Sequence, residues 1–470
     1  HQMNRKFHDN FGVNTRALPL HNITQIVCGN ACRIDWDDVC PHKPEEEVFV
    51  FGNPPYVGSS LQDIKQKEDM NYVFAKVKGW KNLDYIACWV YLGAHYISKK
   101  RSKCAFVATN SICQGEQVEL LWKPIFDLQV NLFFAYKSFK WKNNAKNNAG
   151  VTCTIVGLES LQNIQTCYFF DENKKLEVSF ISPYLIPTET NFIVSKRNSP
   201  FCDVPPMDYG SKPADGGFLS FTSIEKETLD STALPYVKLF VGSDELINGL
   251  TRYCLWINDE DYLQSIKSPF IFRRVESVKQ MRLKSKKIAT QKDAQTPYKF
   301  SECRYQESQC IIIPRHSSER REYIPMDFYA AGTVVADSAF AVYDAPMWLF
   351  GILTSKMHMT WVKTVGGRLE TRYRYSAQLC YNTFPFPTIN EAKKKQIEEA
   401  AENVLVTRAF YPERTLAELY DPDNMPEDLK EAHSVLDDIV ESCYLGYPFV
   451  NDEARLKCLF KLYEKMTKKE

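Results

Sequence analysis

The residues best suited to chemistry stand together in Asn53-Pro54-Pro55-Tyr56. Asn53 offers a side-chain carbonyl as an acceptor, Pro54 a backbone carbonyl with no N–H, and Tyr56 a flat aromatic face. Such a set suits an exocyclic amine conjugated to a ring, which is a poor nucleophile because its lone pair is delocalised. Two acceptors can hold the two amine hydrogens and turn the lone pair toward an electrophile, while Tyr56 stacks on the ring. This chemistry is positioning together with hydrogen bonding of charge that develops in the transition state. It needs neither a metal nor a strong base.

The elements that position the loop can be read from its flanks. Val48, Phe49, Val50, Phe51 and Gly52 precede it and predict a buried strand. Pro54 and Pro55 cannot continue a ladder or a helix, so the chain leaves the sheet there. The result is a rigid loop at the C-terminal end of a strand, where open α/β sheets bind ligands. Residues 23–28 predict a second, parallel strand ending at Gly29-Asn30, as in a doubly wound sheet. Cys28, Cys32, Cys40 and His42 cluster nearby, but their spacing is not that of a zinc site and no metal is expected.

Asn-Pro-Pro-Tyr after a strand resembles the catalytic loop of S-adenosylmethionine-dependent amino-methyltransferases, chiefly the adenine N6 DNA methyltransferases. Enzymes that methylate the side-chain amide of glutamine in proteins use the same tetrapeptide. The resemblance implies S-adenosylmethionine as cofactor, contacts to it from Asn53 and Asn30, and catalytic roles for Asn53, Pro54, Pro55 and Tyr56. A turn residue beside Gly29 is the competing reading of Asn30.

Further elements follow in order. Leu83, Ile86, Ala87, Val90, Ala94 and Ile97 fall on one helical stripe, with Asp84 near its start. Residues 104–109 predict a buried strand leading to Asn110-Ser111-Ile112, which by resemblance helps wall the target pocket. Residues 130–136 and 151–158 predict a strand pair with Phe139 and Trp141 between. A base taken out of a duplex loses stacking worth a few kcal/mol, and aromatic faces restore part of it. By resemblance Phe139 faces Tyr56 across the target base, with Trp141 the second candidate; packing in the core is the alternative for both.

Residues 271–300 carry Arg273, Arg274, Lys279, Arg282 and Lys284, while Val275, Val278 and Met281 supply an apolar stripe. This predicts a helix with a core face and a cationic face suited to phosphate contacts. After a strand ending in Pro314, a loop carries Arg315, Ser317, Ser318, Glu319, Arg320 and Arg321, residue types that read base edges, or that tie loops together internally. Arg368, Arg372 and Arg374 follow Gly366-Gly367, and the last two would share one strand face. From residue 390 the periodicity is helical, with stripes at Ile397, Ala400, Ala401 and Val404, at Leu436, Ile439 and Val440, and at Leu456, Leu459 and Phe460.

Composition sets outer bounds. The 470 residues suffice for two or three domains, and 44% hydrophobic with 25% charged residues is ordinary globular usage. The formal net charge is +0, so a nucleic-acid surface must come from local clustering. No apolar run is long enough to span a bilayer. Fifteen cysteines scattered singly suit a reducing cytoplasm better than a disulfide framework.

Taken in order, GNPPYVGSS, FVATNSICQGEQV, SFKWKNNAK, GSDELINGLTRYCLW, PRHSSERREYIP, GRLETRYRYSAQLCYNTFPFP and LYDPDNMPEDLKEAH resemble the C-terminal part of MmeI-like, type IIL restriction–modification enzymes. The resemblance spans nearly the whole chain. It implies an α/β architecture in three parts: part of a class I methyltransferase sheet (1–160), an α+β target-recognition domain (161–387) and a helical domain (388–470). It implies double-stranded DNA as partner, with upstream cofactor-loop and nuclease segments in the same parent chain. The family's glycine-rich cofactor loop and its nuclease carboxylate–lysine cluster have no counterpart among these residues. A DNA-binding specificity module, inactive in isolation, is therefore the alternative expectation.

Overall fold

In the computed structural model, described for Asp9 and residues 26–141, 152–172 and 174–468, the chain forms two compact units. One takes His1–Ile112 with Leu120–Ile181, the other Cys113–Glu119 with Ser182–Glu470.

The first unit is built on a six-stranded sheet. Its strands are β1 (Phe49–Gly52), β2 (Lys103–Thr109), β3 (Val130–Lys140), β4 (Thr152–Ser160), β5 (Cys167–Asp171) and β6 (Lys174–Val178), in the order β1-β2-β4-β3-β5-β6. β1 and β2 are parallel, as a doubly wound sheet requires, and β4 runs antiparallel between β2 and β3. The sheet continues to Val178. Period-2 alternation in β2 buries Cys104, Phe106 and Ala108.

Helix α1 (Ile64–Val73) starts in a capping box between Asp63 and Gln66. Helix α2 (Ala87–Ile97) packs its stripe of Ala87, Val90, Ala94 and Ile97 into the core. Gly93 permits the close approach of α2 to β2, because a Cβ there would meet the Phe106 ring at 2.8 Å.

Two expectations are corrected. β1 is not buried: Phe49 is 60% and Phe51 81% exposed. Among the described residues β1 pairs only with β2, so it is an edge strand. Ile26–Cys28 carries no strand, and residues 23–25 of that expected strand lie outside the described residues.

Among the described residues, three sheets lie wholly within the second unit. Two are four-stranded: Ser220–Thr222, Arg252–Leu255, Val237–Val241 and Thr333–Val335 in one, and Asp327–Tyr329, Cys310–Pro314, Ala339–Tyr343 and Asp208–Tyr209 in the other. A three-stranded sheet orders His316–Ser317, Arg372–Arg374 and Gly367–Leu369. Helix α3 (Pro269–Leu283) inserts Ile271, Val275 and Val278 into a core with Phe221, Phe240 and Leu255.

The C-terminal helices are α4 (Glu391–Ala409), capped by Asn390, α5 (Glu427–Leu445) and α6 (Asp452–Thr467), capped by Asn451. Their buried stripes hold Ile397, Ala400, Ala401 and Val404, then Leu436 and Val440, then Leu456, Leu459 and Phe460. No helix of the described residues is long and apolar enough to cross a membrane.

Candidate active site

β1 delivers Asn53 to its C-terminal end. Asn53 is exposed, Pro54 buried and Tyr56 half-buried. The loop leaves through Val57, whose N–H donates to Asp84 Oδ1 at 3.0 Å. The Val57 carbonyl accepts from the Tyr85 N–H at 3.0 Å and from Gln62 Nε2 at 3.1 Å, and Gln62 Nε2 also donates to the Leu83 carbonyl at 2.9 Å. The backbone after Tyr56 is thereby fixed to residues 83–85.

A row of cross-strand neighbours forms one side of the site. Thr109 on β2 lies opposite Cys153 on β4, and Cys153 opposite Phe139 on β3. Directly opposed residues of antiparallel strands project to the same face. The Cys153 thiol adjoins the Tyr56 phenol, and burial, followed by that thiol and the Asp84 carboxylate, raises the Tyr56 pKa above its ordinary value. Tyr56 and Phe139 are thus gathered around Cys153. The Trp141 ring lies 6.4 Å from that of Phe139, tilted by 37°, and both are half-buried. The segment ending in Thr109 and Ser111 was expected to wall the pocket, whereas Asp84 and Cys153 were not selected as site residues from the sequence; strand register places Cys153, and hydrogen bonds from Val57, Thr109 and Ser111 place Asp84.

A cleft of about 580 Å³ opens beside Asn53 and Pro54, walled by Ile34, Trp36, Val50 and Phe51 among others. Its apolar walls next to a polar Asn53 suit a flat heterocycle with a polar edge. Asn30 is not part of this wall. Its amide donates to Asp69 Oδ2 at 2.8 Å and its Oδ1 accepts the Cys32 N–H at 2.9 Å, shaping the turn before Ile34. Burial works against the Asp69 charge, but hydrogen bonds from Asn30, Arg33 and Tyr85 hold its pKa below the usual carboxylate range.

The cationic residues of the second unit separate into inward and outward sets. Arg282 is fully buried, and its guanidinium donates to five backbone carbonyls: Ala214 at 3.2 Å, Asp293 at 2.9 Å, Thr296 at 3.1 Å, Pro213 at 2.8 Å and Lys299 at 2.7 Å. All its donors are used internally, which corrects the expectation that it faces phosphate. Arg274 is half-buried, bonds the carbonyls of Phe218 and Ser220 and pairs with Glu225, so it too serves the fold. Arg273, Lys279 and Lys284 remain exposed.

In the loop after Pro314, Ser317 is 4% exposed and paired in a strand with Tyr373. Arg315 is half-buried and donates to the Asp337 carbonyl at 2.8 Å. Ser317 is turned inward, a correction to base contact. Arg321 is half-buried, and burial lowers its pKa. Ser318 is half-buried, Glu319 and Arg320 are exposed, and Arg320 pairs with Asp423.

The three-stranded sheet supplies the clearest outward face. Arg372 and Arg374 are exposed on either side of buried Tyr373. Arg372 pairs with Glu370 at 3.2 Å, and Arg374 has no ion-pair partner among the described residues. Arg368 stacks on the Tyr373 ring at 3.9 Å and donates to the Thr371 carbonyl at 3.1 Å. Burial, and then Arg315, Arg374 and Arg372, lower the pKa of His316.

A strand-end Asn-Pro-Pro-Tyr loop on a mixed α/β sheet, followed by small sheets bearing outward arginines and a helical tail, defines a methyltransferase-type chain with an appended recognition part. Comparison with known proteins agrees. Residues 1–171 match the family described as MmeI, DNA-methyltransferase domain; residues 188–388 match MmeI, target recognition domain; residues 389–469 match MmeI, C-terminal domain. A Bacillus subtilis (strain 168) protein called DNA methyltransferase A is 48% identical over 474 residues, covering 100% of this chain and 54% of that protein. The structure of the type IIL restriction–modification enzyme MmeI in complex with DNA superimposes with a TM-score of 0.88 at 39% identity, covering 100% of this chain and 63% of that one. The chain belongs to the MmeI family and carries its DNA-methyltransferase and target-recognition domains. It spans about half the length of the curated relative it matches.

Proposed function

We propose that the chain forms the catalytic-loop half and the recognition part of a site-specific adenine N6 DNA methyltransferase that uses S-adenosylmethionine and acts on an adenine extruded from duplex DNA. The observation that carries this reading is the grouping of Tyr56 and Phe139 around Cys153, in the same loop-and-sheet end that carries Asn53 directly after β1. Asn53 Oδ1 and the Pro54 carbonyl accept the two hydrogens of the adenine amine and aim its lone pair. Pro55 keeps the loop rigid. Tyr56 and Phe139 close on the two faces of the base, with Trp141 behind Phe139.

S-adenosylmethionine, when bound, supplies a methyl group on a sulfonium, which a nucleophile can displace directly. The cleft lined by Ile34, Trp36, Val50 and Phe51 would hold its adenine, Asn53 would border it, and Asn30 with Asp69 would set the turn that carries Ile34. The relatives are longer than this chain, and we assign the glycine-rich cofactor loop and a nuclease segment to such additional sequence. Arg273, Lys279, Lys284, Arg368, Arg372 and Arg374 contact DNA phosphates, and Ser318, Glu319, Arg320 and Arg321 approach base edges.

The test is product analysis. Full-length enzyme, methyl-labelled S-adenosylmethionine and duplex DNA should yield label in N6-methyladenine after digestion to nucleosides. Label in a cytosine derivative or in protein glutamine, or none in DNA, would overturn the reading.

A further inference from the structure

Two walls of the site described above converge on one buried carboxylate that no motif marks. Asp84 is 5% exposed and lies between helix α1 and helix α2. Its Oδ1 accepts the Val57 N–H at 3.0 Å and the Ile86 N–H at 3.3 Å. Its Oδ2 accepts the Thr109 hydroxyl at 3.2 Å and the Ser111 hydroxyl at 3.1 Å. The two hydroxyls are also 2.7 Å from each other.

The donors belong to three pieces of the site. Val57 directly follows Tyr56. Thr109 is the last residue of β2 and the cross-strand neighbour of Cys153. Ser111 lies in the turn after β2, and Ile86 immediately precedes α2. A carboxylate has roughly four lone-pair directions, and here at least four donors, from three segments of the described residues, approach it. The arrangement exceeds what a helix start needs, since Ile86 alone would serve that purpose.

We infer that Asp84 is a positioning residue for methyl transfer, registering the Asn-Pro-Pro-Tyr loop against the end of β2 so that Tyr56 and the Thr109–Cys153–Phe139 row keep a fixed gap for the target base. Asp84 touches neither base nor cofactor in this role; it acts through Val57, Thr109 and Ser111. The inference deepens the reading above and rests on it. A shift of about 1 Å in a reacting group can cost on the order of 100-fold in rate, so the register of the loop against β2 is a kinetic variable as well as a structural one.

The experiment compares Asp84→Ala and Asp84→Asn in the full-length enzyme, with Asn53→Ala as the catalytic control. Asparagine can keep its oxygen toward Val57 and Ile86 while its NH2 donates to the Thr109 and Ser111 hydroxyls, which rotate to accept. Asp84→Ala should lower kcat about 100-fold with KM for DNA within about twofold. Asp84→Asn should recover to within about tenfold of the parent. Duplex with 2-aminopurine at the target position should show a weaker fluorescence rise with Asp84→Ala than with the parent, because the extruded base is less firmly held.

A kcat for Asp84→Ala within about threefold of the parent would overturn the inference, as would equal losses in both variants accompanied by equal losses of DNA binding. If Asp84→Ala does not fold, Ser111→Ala decides: a fall in kcat of about fivefold at unchanged KM supports the inference, and no change overturns it. A parent enzyme that leaves adenine unmethylated defeats the functional reading itself, whereas an active parent, an inactive Asn53→Ala and an undiminished Asp84→Ala defeat only this inference.

Discussion

Replacing Arg282 with Met separates structural cations from DNA-facing ones. The side chain is fully buried and satisfies five carbonyls, so the substitution leaves Ala214, Asp293, Thr296, Pro213 and Lys299 without their donor. Hydrogen bonds to a charged group are worth about 1.5–3 kcal/mol each, which would sum to more than about 7 kcal/mol. Desolvation of the guanidinium offsets several kcal/mol of that, consistent with the lowering of its pKa by burial. Met also fills much of the volume. A net loss of about 3–5 kcal/mol results, enough to lower Tm by about 10 °C in a unit of this size. Thermal unfolding followed by circular dichroism gives the first readout. The second is the dependence of DNA affinity on salt, whose slope should be unchanged because no phosphate contact is removed. A variant that keeps its Tm but loses about 0.9 from the salt slope would refute this reasoning and restore Arg282 to the DNA surface.

Other outcomes follow from the same geometry. Arg374→Ala should reduce the salt slope of DNA binding by about 0.9 with little change in Tm, since Arg374 is exposed and without an ion-pair partner among the described residues; an unchanged slope would remove this face from the DNA contact. Phe139→Ala should lower kcat/KM about tenfold through lost base stacking, and Trp141→Ala by less than about threefold; steady-state methylation showing the reverse order would make Trp141 the stacking residue. Asp437 is buried, and desolvation, opposed by the Lys356 N–H, the Tyr323 hydroxyl and the Lys356 ammonium, raises its pKa to about 6. Because the folded value lies above the unfolded one, its contribution is present below about pH 4 and lost as pH rises through about 6. Asp437→Asn should remove that loss and stabilise the protein at pH 8 by up to about 3 kcal/mol, and urea unfolding at pH 4 and pH 8 that leaves the pH dependence intact would contradict this.

Much of the architecture was legible because period and turn chemistry agreed with tertiary demands. The stripes of α2, α4, α5 and α6 pointed to their buried faces, and the two prolines of the loop ended β1 where expected. Arg282 illustrates what was lost by reading charge alone: Ile271, Val275, Val278 and Arg282 fall on one helical stripe, so its spacing predicted burial while its residue type suggested solvent. β1 illustrates the opposite error. An apolar strand reads as buried, but exposure depends on its neighbours, and here only β2 lies beside it among the described residues. Asp84 and Cys153 were invisible for a third reason. Their partners are separated by long stretches of sequence: sheet register joins Cys153 to Thr109 and Phe139, and hydrogen bonds to its carboxylate join Asp84 to Val57 and Thr109.

The central claim is that Asn53 holds the amine of an extruded adenine. It is tested most directly by a structure of the full-length enzyme with duplex DNA and a non-reactive analogue of S-adenosylmethionine. The predicted result is an adenine outside the helix between Tyr56 and Phe139, with its N6 about 3 Å from both Asn53 Oδ1 and the Pro54 carbonyl. An extruded base bound elsewhere, or an Asn53 side chain pointing away from it, would contradict the claim.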